Sequence, residues 1–212
     1  MNIYILSDKK VEGAINLPLL EIEFIKKDID YTLYDALVFT SKNAIYSVDL
    51  VSKSWTKIPS YAISQQTANV IKKHDGNLRF TGISGHGDKF ALELIDELKG
   101  KNVLYIRGKK TVSNLDKILN EYNIKCDETI VYKTKCKVLD KKVILPKGSS
   151  IIFSSPSTIE CFFKNYIWDE SFKAISIGKT TAKYFPSNIT PFISDSTSLE
   201  ACVKKAKLIN NL

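Results

Sequence analysis

The chain has 212 residues and a net charge of +8, with 44% hydrophobic and 25% charged residues. This composition is ordinary for a soluble globular protein, and no apolar run approaches the roughly 18 residues that span a membrane. The basic residues are scattered and match no nucleic-acid recognition motif, so the charge indicates either a lysine-rich surface or a small polyanionic ligand.

Short apolar runs alternate along the chain with amphipathic patterns, as is typical of parallel strands covered on both faces. The runs predict strands at 3–6, 36–39, 61–63, 103–106, 151–153 and 174–177. Apolar stripes predict helices over 88–99 and 113–122, and Thr197 to Glu200 form a capping box that opens a last helix. The alternation predicts an α/β fold with right-handed crossovers.

Two motifs recur at the same spacing. Residues 36–45 (ALVFTSKNAI) resemble 150–159 (SIIFSSPSTI), and residues 63–68 (ISQQTA) resemble 177–182 (IGKTTA). Both pairs begin 114 residues apart, which is too long a period for a solenoid. We interpret the repeat as two copies of one α/β unit, whose polar strand ends would form a ligand-binding cleft.

The order of the motifs predicts that one of the two domains is discontinuous. Residues 2–5 (NIYI) resemble 102–105 (NVLY), which lie after the first copy of the repeat and before the second. The predicted organisation is a first lobe of 1–30 with 137–212, a second lobe of 34–133, and crossovers at 31–34 and 133–137.

Polar clusters follow the predicted strands, at the carboxyl edge where open α/β sheets bind ligands. They are Thr40-Ser41, Arg107-Gly108-Lys109-Lys110, Ser154-Ser155-Pro156 and Lys179-Thr180-Thr181. We expect Ser41 and Ser155 to cap the next helices in equivalent turns that face one cleft. Capping is compatible with ligand binding, because a helix N-terminus also presents free N–H groups to anions.

The sequence contains no zinc-binding, phosphate-loop or metalloprotease motif. The four cysteines form no C-x-x-C pair and lie far from both histidines, so no zinc site is predicted. No phosphate loop or H-E-x-x-H motif occurs, and His86 in TGISGHG fits a flexible loop better than an acid or base. Without an export signal, we expect reduced thiols and a cytoplasmic location.

Four segments, taken in order and spacing, resemble the uroporphyrinogen-III synthase family. They are 38–44 (VFTSKNA), Arg107-Gly108 followed by 130–134 (IVYKT), 152–157 (IFSSPS) and 177–182 (IGKTTA). The resemblance implies two similar flavodoxin-like lobes with parallel sheets, joined by a two-stranded linker, the first lobe being discontinuous. Ser64 and Lys179 depart from the family pattern: Ser64 replaces a glycine, and Lys179 could add a carboxylate contact.

The resemblance also implies an activity in tetrapyrrole and heme biosynthesis. A hydro-lyase of this family cyclises hydroxymethylbilane, a linear tetrapyrrole with eight carboxylates, with inversion of ring D and loss of water. It uses no metal and no organic cofactor. We therefore expect a small-molecule substrate, no nucleic acid and no membrane, and a monomer that can contact the preceding pathway enzyme transiently.

Tyr132 matches the family tyrosine that assists loss of the hydroxyl, although a strand residue that stabilises the crossover is the alternative. The expected substrate-binding residues are Thr40, Ser41, Asn43, Thr67, Arg107, Gly108, Lys109, Ser154, Ser155, Lys179, Thr180 and Thr181. A different function class stays open: a two-lobed binding or sensor domain that closes on a small polyanion. A nucleotide-binding flavodoxin-like protein is disfavoured, because the phosphate loop is absent.

Overall fold

The computed structural model describes residues 1–111 and 113–210. The strands are β1 (Ile3–Ile5), β2 (Ile15–Asn16), β3 (Leu20–Phe24), β4 (Ala36–Phe39), β5 (Ser60–Ala62), β6 (Leu78–Thr81), β7 (Val103–Gly108), β8 (Cys126–Cys136), β9 (Ser150–Phe153), β10 (Lys173–Ser176) and β11 (Phe192–Ile193). The α-helices are α1 (Lys42–Asp49), α2 (Gln65–Lys73), α3 (Gly87–Glu93), α4 (Ile95–Leu98), α5 (Leu115–Glu121), α6 (Pro156–Asn165), α7 (Lys179–Ala182) and α8 (Leu199–Ile209). In these ranges, no helix has the length and apolar character needed to cross a membrane.

The strands form a five-stranded and a six-stranded sheet, and five strands of the second correspond in order to those of the first. The first sheet runs β11-β10-β9-β1-β2, and the second, read in the matching direction, runs β6-β5-β4-β7-β8-β3. Every pairing from β4 to β8 and throughout the first sheet is parallel. The predicted α/β fold with parallel sheets is therefore confirmed.

The repeat seen in the sequence reappears in the register of the strands. Val38 lies opposite Tyr61, and 114 residues later Ile152 lies opposite Ile175. The order β6-β5-β4-β7-β8 thus corresponds to β11-β10-β9-β1-β2, but β1 and β2 come first in the chain. The two sheets are related by a circular permutation, which explains why the N-terminal segment 2–5 resembles 102–105.

The chain divides into two compact units, Met1–Glu21 with Lys135–Leu212 and Ile22–Thr134. The first division lies within β3, and the 3-10 helix Tyr31–Leu33 places Tyr31 in the core of the second unit. The second division lies within β8. The lobes and crossovers expected from the sequence stay predictions. That the lobes share one cleft stays a prediction.

Both faces of each parallel sheet are buried. In β4, Ala36 and Val38 pack into one apolar layer, and Leu37 and Phe39 pack into the other. The same alternation separates residues of β1 and β9 in the first unit. Burial on both faces explains why these strands appear in the sequence as continuous apolar runs rather than alternating ones.

Two predicted helix boundaries are wrong. The helix predicted over 88–99 is interrupted at Leu94, which separates α3 from α4. The last helix is capped by Ser198, whose side chain accepts a hydrogen bond from the Ala201 N–H at 3.1 Å, and not by Thr197. Consecutive Thr and Ser residues compete for the cap, and the sequence pattern does not decide between them.

The expectation of reduced thiols is wrong for two of the four cysteines. Cys136 at the end of β8 and Cys161 on α6 form a disulfide, with their Cα atoms 5.0 Å apart. Cys126 and Cys202 are buried free thiols, and burial raises the pKa of Cys126 to about 12. The disulfide joins residues 25 positions apart, a proximity that depends on the fold and not on any local pattern.

Candidate active site

The polar clusters predicted after the strands lie at the carboxyl edges of the two sheets. In the second unit, β4 and β7 are neighbours at the point where the strand order reverses. Thr40 and Ser41 follow β4, and Lys109 follows Gly108 at the end of β7. In open α/β sheets such a switch point is the usual ligand site, so these residues form the centre of the candidate site in this unit.

Ser41 and Ser155 occupy equivalent strand-to-helix turns. The Ser41 Oγ accepts a hydrogen bond from the Asn43 N–H at 3.2 Å, and the Ser155 Oγ accepts one from the Thr158 N–H at 3.3 Å. At the second turn, the Thr158 Oγ1 also accepts from the Ser155 N–H at 3.2 Å, which completes a capping box. Both helices therefore begin at the carboxyl edge of a sheet, where the positive end of each helix dipole favours anions.

The hydroxyl of Thr40 is hydrogen-bonded to a buried tyrosine. Its Oγ1 lies 2.9 Å from the hydroxyl of Tyr105, a fully buried residue of β7. Thr40 itself is half-buried, so one side of its side chain remains accessible. The hydrogen bond links the ends of β4 and β7 at the switch point and sets the orientation of the Thr40 hydroxyl.

Arg107 holds the turn after β7 and is not a free cation. Its Nε and Nη2 donate to the two Glu128 carboxylate oxygens at 2.8 and 2.7 Å. Its Nη1 donates to the carbonyl oxygens of Gly108 at 2.9 Å and Lys109 at 3.4 Å. The hydrogen bond from Arg107 lowers the pKa of Glu128, which keeps the ion pair charged. Arg107 therefore has a structural role in the turn, and its contact with substrate stays a prediction.

Tyr132 lies beside the end of β7, at the same edge as Thr40 and Ser41. Gly108 is paired with Tyr132 across the β7–β8 ladder, and the Lys109 N–H donates to the Tyr132 carbonyl oxygen at 2.9 Å. The phenol ring is half-buried and packs partly against the apolar layer that contains Phe39 and Ile106. Tyr132 is thus within the candidate site of its unit, next to Gly108 and Lys109.

In the first unit, Ser154, Ser155 and Lys179 lie at the carboxyl edge, after β9 and β10. Lys179 and Thr180 are exposed in the first turn of α7. Thr181 and its counterpart Thr67 are buried, with only 5% and 4% of their surfaces exposed. That Thr67 and Thr181 contact substrate stays a prediction.

Residues 7–10, which follow β1, are further candidate site residues that the sequence reasoning missed. In the first sheet β1 pairs with β9, and in the second sheet β7 pairs with β4. The segment after β1 is therefore the counterpart of 107–110, the segment after β7. The signal was present: the resemblance of 2–5 to 102–105 extends to Lys9-Lys10 and Lys109-Lys110. Lys9 donates to Glu200 on α8 at 3.0 Å, and a cavity of about 420 Å³ lies beside Lys10.

The glycine-rich segment 82–87 is anchored rather than free. The Glu93 carboxylate accepts hydrogen bonds from the N–H groups of Ile83 at 2.9 Å and Ser84 at 3.1 Å. His86 is exposed and precedes α3 without a side-chain capping bond. Its position gives no support to an acid or base role.

Comparison with known proteins identifies the family. The model described as "Uroporphyrinogen-III synthase HemD" matches residues 9–204. The crystal structure of uroporphyrinogen-III synthetase from Helicobacter pylori is 32% identical, with a TM-score of 0.81 over 98% of this chain and 99% of that one. A mutant uroporphyrinogen III synthase from Thermus thermophilus shares the fold at 11% identity and a TM-score of 0.51, over 99% and 98% of the two chains.

A search of curated proteins finds no match. The family match nevertheless covers nearly the whole chain, including every polar cluster described above. The Helicobacter pylori structure matches both units over almost their full length. The chain belongs to the uroporphyrinogen-III synthase family.

Proposed function

We propose that this chain closes hydroxymethylbilane into uroporphyrinogen III, using the carboxyl edges of both sheets to bind the substrate and Tyr132 to assist loss of its hydroxyl. The observation that carries the proposal is the family match over residues 9–204. The enzyme is accordingly a cyclising lyase of tetrapyrrole biosynthesis. The alternative, a binding or sensor domain without catalysis, has no support from the matched proteins.

The substrate carries eight carboxylates, and the two edges supply donors suited to them. The helices after Ser41 and Ser155 each present the positive end of a helix dipole. Lys109 and Lys179 add exposed ammonium groups at the same edges, and the net charge of +8 attracts a polyanion. Such donors hold a flexible chain with its ends close together, which is catalysis by orientation.

Tyr132 supplies the acid in this proposal. Its phenol donates a proton to the hydroxyl that leaves the terminal pyrrole-CH₂OH, and the two depart as water. The methylene carbon left by the hydroxyl bonds to the ring D carbon that already carries the bridge to ring C, which gives a spiro intermediate. That bridge bond then breaks and forms again at the free α carbon of ring D, which inverts the ring, and the proton lost from that carbon restores the phenol. Because a pyrrole expels this hydroxyl readily, one weak acid is sufficient and no metal or organic cofactor is required.

The decisive test of the activity supplies hydroxymethylbilane and separates the type III from the type I isomer of the product. The type I isomer forms without enzyme, so only enrichment of type III counts. We further propose that the enzyme works as a monomer in the cytoplasm and meets the preceding pathway enzyme only transiently. Analytical ultracentrifugation of the chain alone and with that enzyme tests the oligomeric state and the contact.

Lys179→Ala should weaken substrate binding by about 0.5–2 kcal/mol at low ionic strength, and by less at high salt, because the contact is a partly screened charge pair. The measurement is the Michaelis constant at several salt concentrations. Lys125→Ala is the matched control, since it removes an exposed lysine at the amino end of β8 instead. Equal Michaelis constants for wild type and Lys179→Ala at low salt would show that Lys179 does not contact substrate.

A further inference from the structure

The space that a side chain would need at Gly108 is already filled by the Tyr132 ring. A Cβ atom built on Gly108 would lie 2.6 Å from the Tyr132 Cζ, 2.7 Å from Cε2 and 2.9 Å from the hydroxyl oxygen. Real Cβ atoms do not approach other atoms so closely. The φ angle of Gly108 lies outside the left-handed region, so the backbone conformation does not require glycine. The close approach of the phenol is what requires it.

An irregularity in β8 directs Tyr132 toward Gly108. Arg107 is paired with Ile130, but Gly108 is paired with Tyr132, so the register shifts and Val131 has no partner on β7. The Val131 carbonyl instead accepts a hydrogen bond from the Ile25 N–H at 2.8 Å and another from the Ser47 Oγ. Such an extra residue in one strand rotates the next side chain, a device frequent beside active sites.

The turn that carries Gly108 is held by three further contacts. Arg107 binds Glu128 through two hydrogen bonds, and its third nitrogen donates to the Gly108 carbonyl at 2.9 Å. The Lys109 N–H then donates to the Tyr132 carbonyl at 2.9 Å. These bonds hold the Gly108 and Tyr132 backbones together, so a side chain added at Gly108 has to be accommodated by the Tyr132 ring.

We propose that Gly108 is a positioning residue for catalysis: its missing side chain lets the Tyr132 phenol lie against the end of β7 with its hydroxyl at the carboxyl edge. Arg107 and Glu128 hold that glycine in place. The proposal rests on the role proposed above for Tyr132. Catalysis by a positioned acid is sensitive to displacements of about 1 Å, which can cost up to about 100-fold in rate.

Gly108→Ala tests the proposal, because the added methyl must displace the ring. We expect kcat to fall by about 10–100-fold, and by no more than loss of the Tyr132 hydroxyl costs, with a smaller change in KM. Gly76→Ala is the matched control in the same unit, since its Cβ would meet the Trp55 ring at 2.5 Å, away from Tyr132. The control should melt at a lower temperature yet keep its turnover per folded molecule.

The double variant Gly108→Ala, Tyr132→Phe separates positioning from general damage. If Gly108 acts through the Tyr132 hydroxyl, the double variant should turn over within about twofold of Tyr132→Phe alone, because contacting residues are not additive. Losses that multiply, or wild-type turnover in Gly108→Ala, would overturn the proposal. Turnover is compared only among variants whose melting curves show a folded protein.

A spectroscopic measurement without substrate separates failure of this inference from failure of the proposed role of Tyr132. In protein labelled with ¹³Cζ-tyrosine, the Tyr132 signal is assigned by its absence in Tyr132→Phe. It should move in Gly108→Ala and stay in Gly76→Ala. An unmoved signal in folded Gly108→Ala would overturn the positioning proposal. A moved signal with wild-type turnover in both Gly108→Ala and Tyr132→Phe would instead overturn the acid role.

Discussion

Replacing Tyr132 by phenylalanine should lower turnover by about 10–1000-fold, which is the lower part of the range for general acid catalysis. The substitution keeps the ring that packs against Gly108 and removes only the hydroxyl. Unfolding free energy should change by no more than about 1 kcal/mol, the contribution of one hydrogen bond. The measurement is the rate of type III product formation, together with the melting temperature of each variant.

The alternative role for Tyr132, a strand residue that only packs, gives the opposite pattern. Tyr132→Phe would then keep near-normal turnover, and only Tyr132→Ala, which loses the ring, would be impaired. Tyr122→Phe is the matched control, because Tyr122 is 52% exposed and follows α5. Full activity of Tyr132→Phe would rule out the acid role and leave orientation by backbone donors as the source of catalysis.

Asp49→Ala should lower the free energy of unfolding by about 1–3 kcal/mol at neutral pH, because it leaves a buried donor without a partner. The Asp49 carboxylate accepts hydrogen bonds from the indole N–H of Trp55 at 3.2 Å and from Lys53 at 2.6 Å, and it contacts the His74 ring at 2.7 Å. Trp55 is fully buried. These contacts join the carboxyl ends of α1 and α2, and the amino end of α1 is the Ser41 turn of the candidate site.

The effect of Asp49→Ala should depend on pH. Burial raises the pKa of Asp49, but the bonds from Lys53, His74 and Trp55 outweigh burial and bring it below the ordinary value. A carboxyl with a lowered folded pKa stabilises the protein above the unfolded pKa of about 3.9, and this contribution disappears as pH falls through the folded value. Denaturant titrations should therefore show a full difference at pH 6–7 that shrinks below about pH 4.

Asp96→Ala is the control for that titration, since Asp96 is an exposed carboxylate of the same unit. Its stability should change by less than about 0.5 kcal/mol at any pH, as is usual for exposed surface positions. A wild-type minus Asp49→Ala difference that stays constant from pH 7 down to about pH 3 would contradict the assigned network, because the carboxylate would then contribute nothing through its charge.

The central strands could be predicted from the sequence because burial on both faces leaves a continuous apolar run. β4 and β9 are the clearest cases. The strands that escaped prediction are short or partly exposed: Ile15 in β2 is 48% exposed and Phe192 in β11 is 44% exposed. Such strands have no apolar signature of their own and are set by the neighbour with which they pair.

The parts of the candidate site that depend on residues close together in the sequence could be predicted. Ser41 and Ser155 cap helices within three residues of themselves, and such bonds follow from sequence order. The Arg107–Glu128 and Asp49–His74 contacts join residues 21 and 25 positions apart, and no local pattern reveals them. The sequence therefore suggests a substrate contact for Arg107 but gives no sign of the bonds that its guanidinium makes with Glu128 and the turn.

The most direct test of the whole account is the isomer ratio of the product formed from hydroxymethylbilane. The purified chain should yield predominantly the type III isomer, without added metal or organic cofactor, while a reaction lacking protein yields type I. Tyr132→Phe should shift the ratio back toward type I, because the slowed enzyme competes less well with spontaneous closure. A product that remains entirely type I in the presence of the folded wild-type chain would contradict the account.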